Sequence, residues 1–157
     1  MQLALTLLTV SGCASTTNRG SDPELSVSGV IAVTGTALDP ELVLLREGTQ
    51  TRLTSDSSEK ASLKRVAGTE VVLHGRLTTN PVFHVDSFLV LRVDGVAVVD
   101  GFLQPDGEHL AIVRAKSRQR VANPPEEFRK LIAARIWIAG ALDRGPYTYG
   151  LITPPIR

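Results

Sequence analysis

Four basic residues stand at alternate positions in a nine-residue run, VRAKSRQRV (113–121): Arg114, Lys116, Arg118 and Arg120. On one continuous strand that spacing puts all four on the same face. Guanidinium forks and an ammonium gathered there would hold a phosphate, an acidic glycan or an anionic lipid head group. A turn near 115–117, matching Glu47-Gly48 earlier in the chain, would break the face. It would leave a solvated hairpin whose charges protect a sheet edge. Of the histidines His74, His84 and His109, only His84 stands close to a carboxylate at ligand-like spacing, that of Asp86, and two groups alone do not make a metal site. The sequence has no Gly-x-Ser-x-Gly elbow and no phosphate-cradling glycine loop. Cys13 is the only cysteine, which rules out an internal disulfide and a cysteine-rich metal centre. These residues point to binding without a metal or cofactor; an enzyme assembled from sequence-distant groups ranks third.

Cys13 sits where a different chemistry is expected. The stretch LALTLLTVSGCAS reads as the apolar core of an export signal followed by small residues. Within it, Val10-Ser11-Gly12-Cys13 resembles the bacterial lipobox: an aliphatic residue, two small residues, then the cysteine. The resemblance implies cleavage before Cys13, a thioether-linked diacylglycerol on its sulfur and acylation of its amine. Small side chains admit a peptidase to the backbone, and several acyl chains anchor far more firmly than one. The apolar run is too short to span a bilayer, which takes about 20 residues. Residues 14–24, ASTTNRGSDPE, lack hydrophobic periodicity and read as a flexible tether. Ala14 stands where an aspartate would signal retention at the inner membrane, so the resemblance implies the outer membrane, facing the periplasm.

A net charge of +1 gives no global field to draw the chain onto nucleic acid, and no aromatic residues interleave with the basic run. Hydrophobic residues make up 43% and aromatic residues 4%, so the core must be aliphatic, and its β-branched character favours strands. The elements that would carry the basic run come from an internal repeat. VSGVIAVTG (27–35) reads like VDGVAVVDG (93–101), LVLLR (42–46) like LAIVR (110–114), RLT (52–54) like RVA (120–122), and VVLHGRL (71–77) like IWIAGAL (136–142). Pro81 and Pro146 follow in the same order. We read a tandem duplication of a unit of about 65 residues.

Each unit predicts strand, strand, strand, helix, strand, strand. Val27, Gly29, Ile31 and Val33 share a face in the first strand; Val93, Gly95, Ala97 and Val99 do so in its copy, with Asp94 and Asp100 opposite. The fourth strand sets Val71, Leu73, Gly75 and Leu77 against Glu70, His74 and Arg76, and its copy sets Ile136, Ile138, Gly140 and Leu142 against Arg135, Trp137 and Ala139. Asp56 and Glu59 are placed to cap the first helix; Asn123, Pro124 and Glu126 give the second its start signals. Trp137 falls on an outward face, where the other unit or a partner would cover it. Phe83, Tyr147 and Tyr149 lie near the connections between the fourth and fifth strands, placed to plug an end of the sheet or to stack on a sugar.

This element order resembles the OB-fold barrel, and the arrangement is similar to small OB-fold lipoproteins of bacterial envelopes. The expectation is a mainly β protein with one short helix per repeat: two tandem OB-like five-stranded barrels, packed together because a unit of that size is marginal alone. The runner-up is one larger two-lobed β-barrel or sandwich in which the copies share sheets. The organisation expected is a signal segment over 1–12, a lipidated Cys13 and tether over 13–24, and repeats over 25–92 and 93–157. The expected function is a lipid-anchored, non-catalytic binding or scaffold module for another envelope protein, held at the membrane through Cys13. The alternative is a binder of a small anionic or carbohydrate ligand through the hairpin 113–121, with Trp137 a further contact.

Overall fold

A computed structural model of the chain describes residues 24–78 and 82–155. Cys13, the signal segment and nearly all of the tether lie outside the described residues, as does Pro81. The protein is mainly β. Its elements in order are β1 (Leu25–Gly35), β2 (Pro40–Arg46), β3 (Thr49–Ser55), α1 (Ser57–Arg65), β4 (Glu70–Leu77), β5 (Val82–Val93), β6 (Val96–Asp106), β7 (His109–Arg114), β8 (Ser117–Val121), a 3₁₀ segment (Glu126–Leu131), β9 (Arg135–Ala139) and β10 (Thr148–Thr153). In the first half β1 pairs with β2 and β4, β2 with β3, β3 in parallel with β5, and β4 with β5, so five strands close a ring. In the second half β6 pairs with β7 and β9, β7 with β8, and β9 with β10. Among the described residues β8 and β10 do not pair, so this second sheet stays open. A short ladder between β5 and β6 joins all ten strands into one sheet.

The two halves follow one path. Ile31 donates its N–H to Thr69 and accepts from Gly68; Leu103 donates to Ala134 and accepts from Ala133. Thr69 then bonds back to Val66, as Ala134 does to Leu131. Ile31 and Leu103 are both fully buried, each at the centre of its half's core. The doubled phrase at 27–35 and 93–101, however, is not the repeat of the first strand. Gly29 stands opposite Val71 in the β1–β4 ladder and Gly101 opposite Ile136 in the β6–β9 ladder, so Gly29 corresponds to Gly101 and not to Gly95. Asp94 and Gly95 both take positive φ, 49° and 78°, and form the two-residue turn between β5 and β6. An Asp-Gly pair between alternating runs is the preferred composition for that turn, whose twist matches the strands it joins.

The second helix also departs from expectation. Asn123 has φ 48° and makes no cap; a six-residue 3₁₀ segment follows only at Glu126. Pro124 and Pro125 explain this. Neither offers an N–H, and each pushes its predecessor out of the α region. Ile132 turns extended, with ψ 134°, and Ala133 takes φ 68°, so the segment stops after six residues. In the first half, with no proline in the way, α1 runs nine residues from Asp56, though neither the Asp56 nor the Glu59 side chain caps it.

The open seam of the second half is held by other means. Ala122 donates to the carbonyl of Leu142 at 2.8 Å. The Tyr147 hydroxyl reaches the carbonyls of Ala122 and Leu142, and its phenol pKa is raised by burial and then by Asp143, which keeps it a donor. Phe128, fully buried, packs edge-on to Tyr149 with ring centroids 4.7 Å apart. Tyr147 and Tyr149 thus pack into the second core, as plugs do. Tyr147→Phe should lower stability by about 1 kcal/mol, read by thermal or urea unfolding, with no change in the spectroscopic β content.

Candidate functional site

Between the halves lies a buried ion cluster. Strand parity turns Asp100 of β6 away from the second core and toward β5, and its side chain is fully buried. Arg135, next to it on β9, donates Nε–H to Oδ1 at 2.9 Å and Nη2–H to Oδ2 at 2.8 Å. The backbone N–H of Val90 donates to Oδ2 at 2.9 Å. Arg114, at the end of β7, brings Nη1 to 3.3 Å from Oδ2, an ion-pair contact off the hydrogen-bond line. Both arginines also donate to the carbonyl of Phe88, and Arg135 lies 4.4 Å above the Phe88 ring. From the helix side, Glu59 has its pKa raised by burial, against the opposing pull of Arg135. A buried carboxylate with four polar contacts and two cations thus links β5 of the first half to β6, β7 and β9 of the second.

The four basic residues of 113–121 fall into three settings. Ala115, at φ 46°, starts the turn between β7 and β8. Arg114 is thereby drawn into the junction. Lys116 stands exposed at the turn. Arg118 and Arg120 lie on the outer face and share Asp106, Arg118 Nη1 at 3.1 Å from Oδ1 and Arg120 Nε at 3.2 Å from Oδ2. The bond from Arg120 is the largest influence holding the Asp106 carboxyl below its ordinary range. Of the alternating run, only Arg118 and Arg120 are brought together.

Trp137 is half-buried and packs against the first core from its place on β9. Its partner across the ladder is Gly150, where a Cβ would come within 2.5 Å of the indole Nε1, so the indole covers that glycine. The same indole forms one wall of a groove of about 340 Å³ with Val93, Val96, Ala139 and Pro146. His84 sits 3.3 Å from Thr54 Oγ1 and 3.5 Å from Asp86, whose carboxylate accepts two bonds from Arg76. Among the described residues no cluster of three or more His, Cys, Asp or Glu is arranged to hold a metal ion. Nor is any helix among them long and apolar enough to cross a membrane.

A second concave surface opens at one end of the first ring. Leu25, Val27, Leu44, Leu77 and Phe83 enclose about 240 Å³, with Arg46, Thr49 and Thr51 on the β2–β3 side. Leu44 and Phe83 are its buried floor, and Leu77 is 55% exposed. Alternation along 71–77 puts Leu77 on the inward face, but Leu77 ends its strand, where alternation stops meaning burial, and it is exposed. No family model, curated protein or solved structure matches the chain.

Proposed function

We propose that the chain is a lipid-anchored protein of the bacterial envelope that works by binding another envelope protein and catalyses no reaction. Cys13 supplies location at the outer membrane, the tether supplies reach, and the folded body supplies surface. The body is read as two tandem OB-like barrels. In support, the first half has the ring order β1-β2-β3-β5-β4 with α1 between β3 and β4, and the second half repeats that path apart from the closing pair. The observation that carries the binding reading is the open apolar end of the first ring, in a half that the Asp100 cluster links to the second. Apolar concavity with few polar groups is what recognition surfaces present.

The alternative, an anion or carbohydrate site on 113–121, has less support. Arg114 and the pair Arg118 and Arg120 are engaged by Asp100 and Asp106, which leaves Lys116 as the one basic residue of the run without an ion pair among the described residues. Fractionation of cells tests the anchor. The native protein should sediment with membranes, and Cys13→Ser should move most of it to the soluble fraction. A variant that stays in the membrane pellet after a carbonate wash would overturn lipid anchoring.

A further inference from the structure

The two halves present the same end in two states. Val27, Leu44, Arg46, Thr49 and Thr51 at the open end of the first half correspond, through the shared bonding path, to Val99, Ile112, Arg114, Ser117 and Gln119 of the second. In the second half strand β5 lies along that end: Leu89 lines one wall of a remaining cavity of about 210 Å³, and the Phe88 carbonyl accepts from Arg114 Nη2 at 3.4 Å. The carboxylate 3.3 Å from Arg114 Nη1 is Asp100 of the second half's own β6, and Ser28 stands at its place in the first half, so Arg46 has no acid of its own half to meet. In the first half the equivalent arginine, Arg46, is exposed and makes no ion pair among the described residues. We infer that the open end of the first half docks an extended segment of a partner protein, an apolar side chain entering between Leu25, Val27 and Leu77 while a carboxylate and a main-chain carbonyl meet Arg46. This rests on the binding reading and names its surface and the chemistry of its partner.

Three features fix that chemistry. The floor of Leu44 and Phe83 takes an aliphatic or aromatic side chain and rejects a charge. The lone guanidinium at the rim selects a carboxylate and repels a basic segment. The neighbour along the equivalent end is an extended strand that offers Arg114 a main-chain carbonyl, and main-chain recognition with one pocketed side chain is an established mode of peptide capture.

The molecule supplies its own probe: a fluorescein-labelled peptide DSFLVL, the sequence of residues 86–91. Full-length protein should bind it saturably by fluorescence anisotropy, and added salt should weaken the binding. Arg46→Glu should weaken it by about tenfold or more, Arg46→Lys by less, and Arg129→Glu on the 3₁₀ segment not at all. Arg46 is exposed, so an unchanged melting temperature will show that the variant is folded. Absence of saturation, or equal binding by Arg46→Glu, overturns the proposal. In cells, a photo-crosslinker at Leu77 should join another protein at a segment that mass spectrometry finds apolar and acidic. Adducts to a second copy or to residues 1–23 of the same chain overturn a partner as the occupant. Adducts from Val96 with none from Leu77 sink this surface and spare the binding function; none from any position sinks both.

Discussion

Asp100→Ala is expected to destabilise the protein by about 3–5 kcal/mol, more than any substitution on its surface. The side chain has no solvent exposure, and three separate strands depend on it. Its removal leaves Arg135, whose side chain is 12% exposed, as a buried cation compensated by the Phe88 carbonyl and ring and by the charge of Glu59 from the helix side. It also leaves the Val90 N–H without an acceptor, a further cost of about 1–3 kcal/mol if water cannot reach it. Arg118→Ala makes the contrast: that residue pairs with Asp106 at the surface, and such a pair contributes about 0–1 kcal/mol. Urea unfolding measures both. Asp100→Ala should also lower the cooperativity of the transition, because the two cores are coupled through this cluster and through Ile152 and Trp137, which the second half lends to the first core. A loss below about 1 kcal/mol, with a single sharp transition retained, would mean that the cluster does not hold the halves together.

Much of the architecture was legible because side-chain period and strand period agree. Val71, Leu73 and Gly75 alternate as buried positions against Glu70, His74 and Arg76, and Ile136 and Ile138 do the same in the second half. The matches of 42–46 to 110–114 and of 71–77 to 136–142 also reflect equivalent strands, as the paired ladders demand. What could not be read was contact between strands far apart in sequence. Asp100 and Arg135 were both assigned to polar faces, correctly by parity, but parity does not say whether a polar face meets water or a second domain. The basic run illustrates the same gap, since three of its four charges, those of Arg114, Arg118 and Arg120, are answered by Asp100 and Asp106, neither of which lies within the run.

The first-strand register shows how a repeat can mislead, and it yields the second large prediction. VSGVIAVTG and VDGVAVVDG look alike because both are β-branched residues around a glycine, a composition that serves a strand interior and a strand-turn-strand equally well. Their glycines differ physically. A Cβ on Gly29 would lie 2.5 Å from the Leu45 carbonyl oxygen, and one on Gly101 2.7 Å from that of Val113. These are the same place in the two halves, where one strand leans onto the backbone of the next, and backbone cannot step aside as a flexible side chain can. Gly95 faces open space, and only its positive φ excludes ordinary residues. Gly29→Ala and Gly101→Ala should therefore each cost about 2–3 kcal/mol, the upper part of the usual overpacking range. Gly95→Ala should cost about 1–2 kcal/mol through its left-handed conformation alone. Asparagine separates the two causes. It tolerates positive φ, so Gly95→Asn should restore most of what Gly95→Ala loses, whereas Gly29→Asn and Gly101→Asn should be worse than alanine because a larger group meets the same carbonyl. Recovery at Gly101 by asparagine, or loss at Gly95 equal for both substitutions, would return Gly95 to the strand interior and undo the register on which the equivalence of the two halves depends.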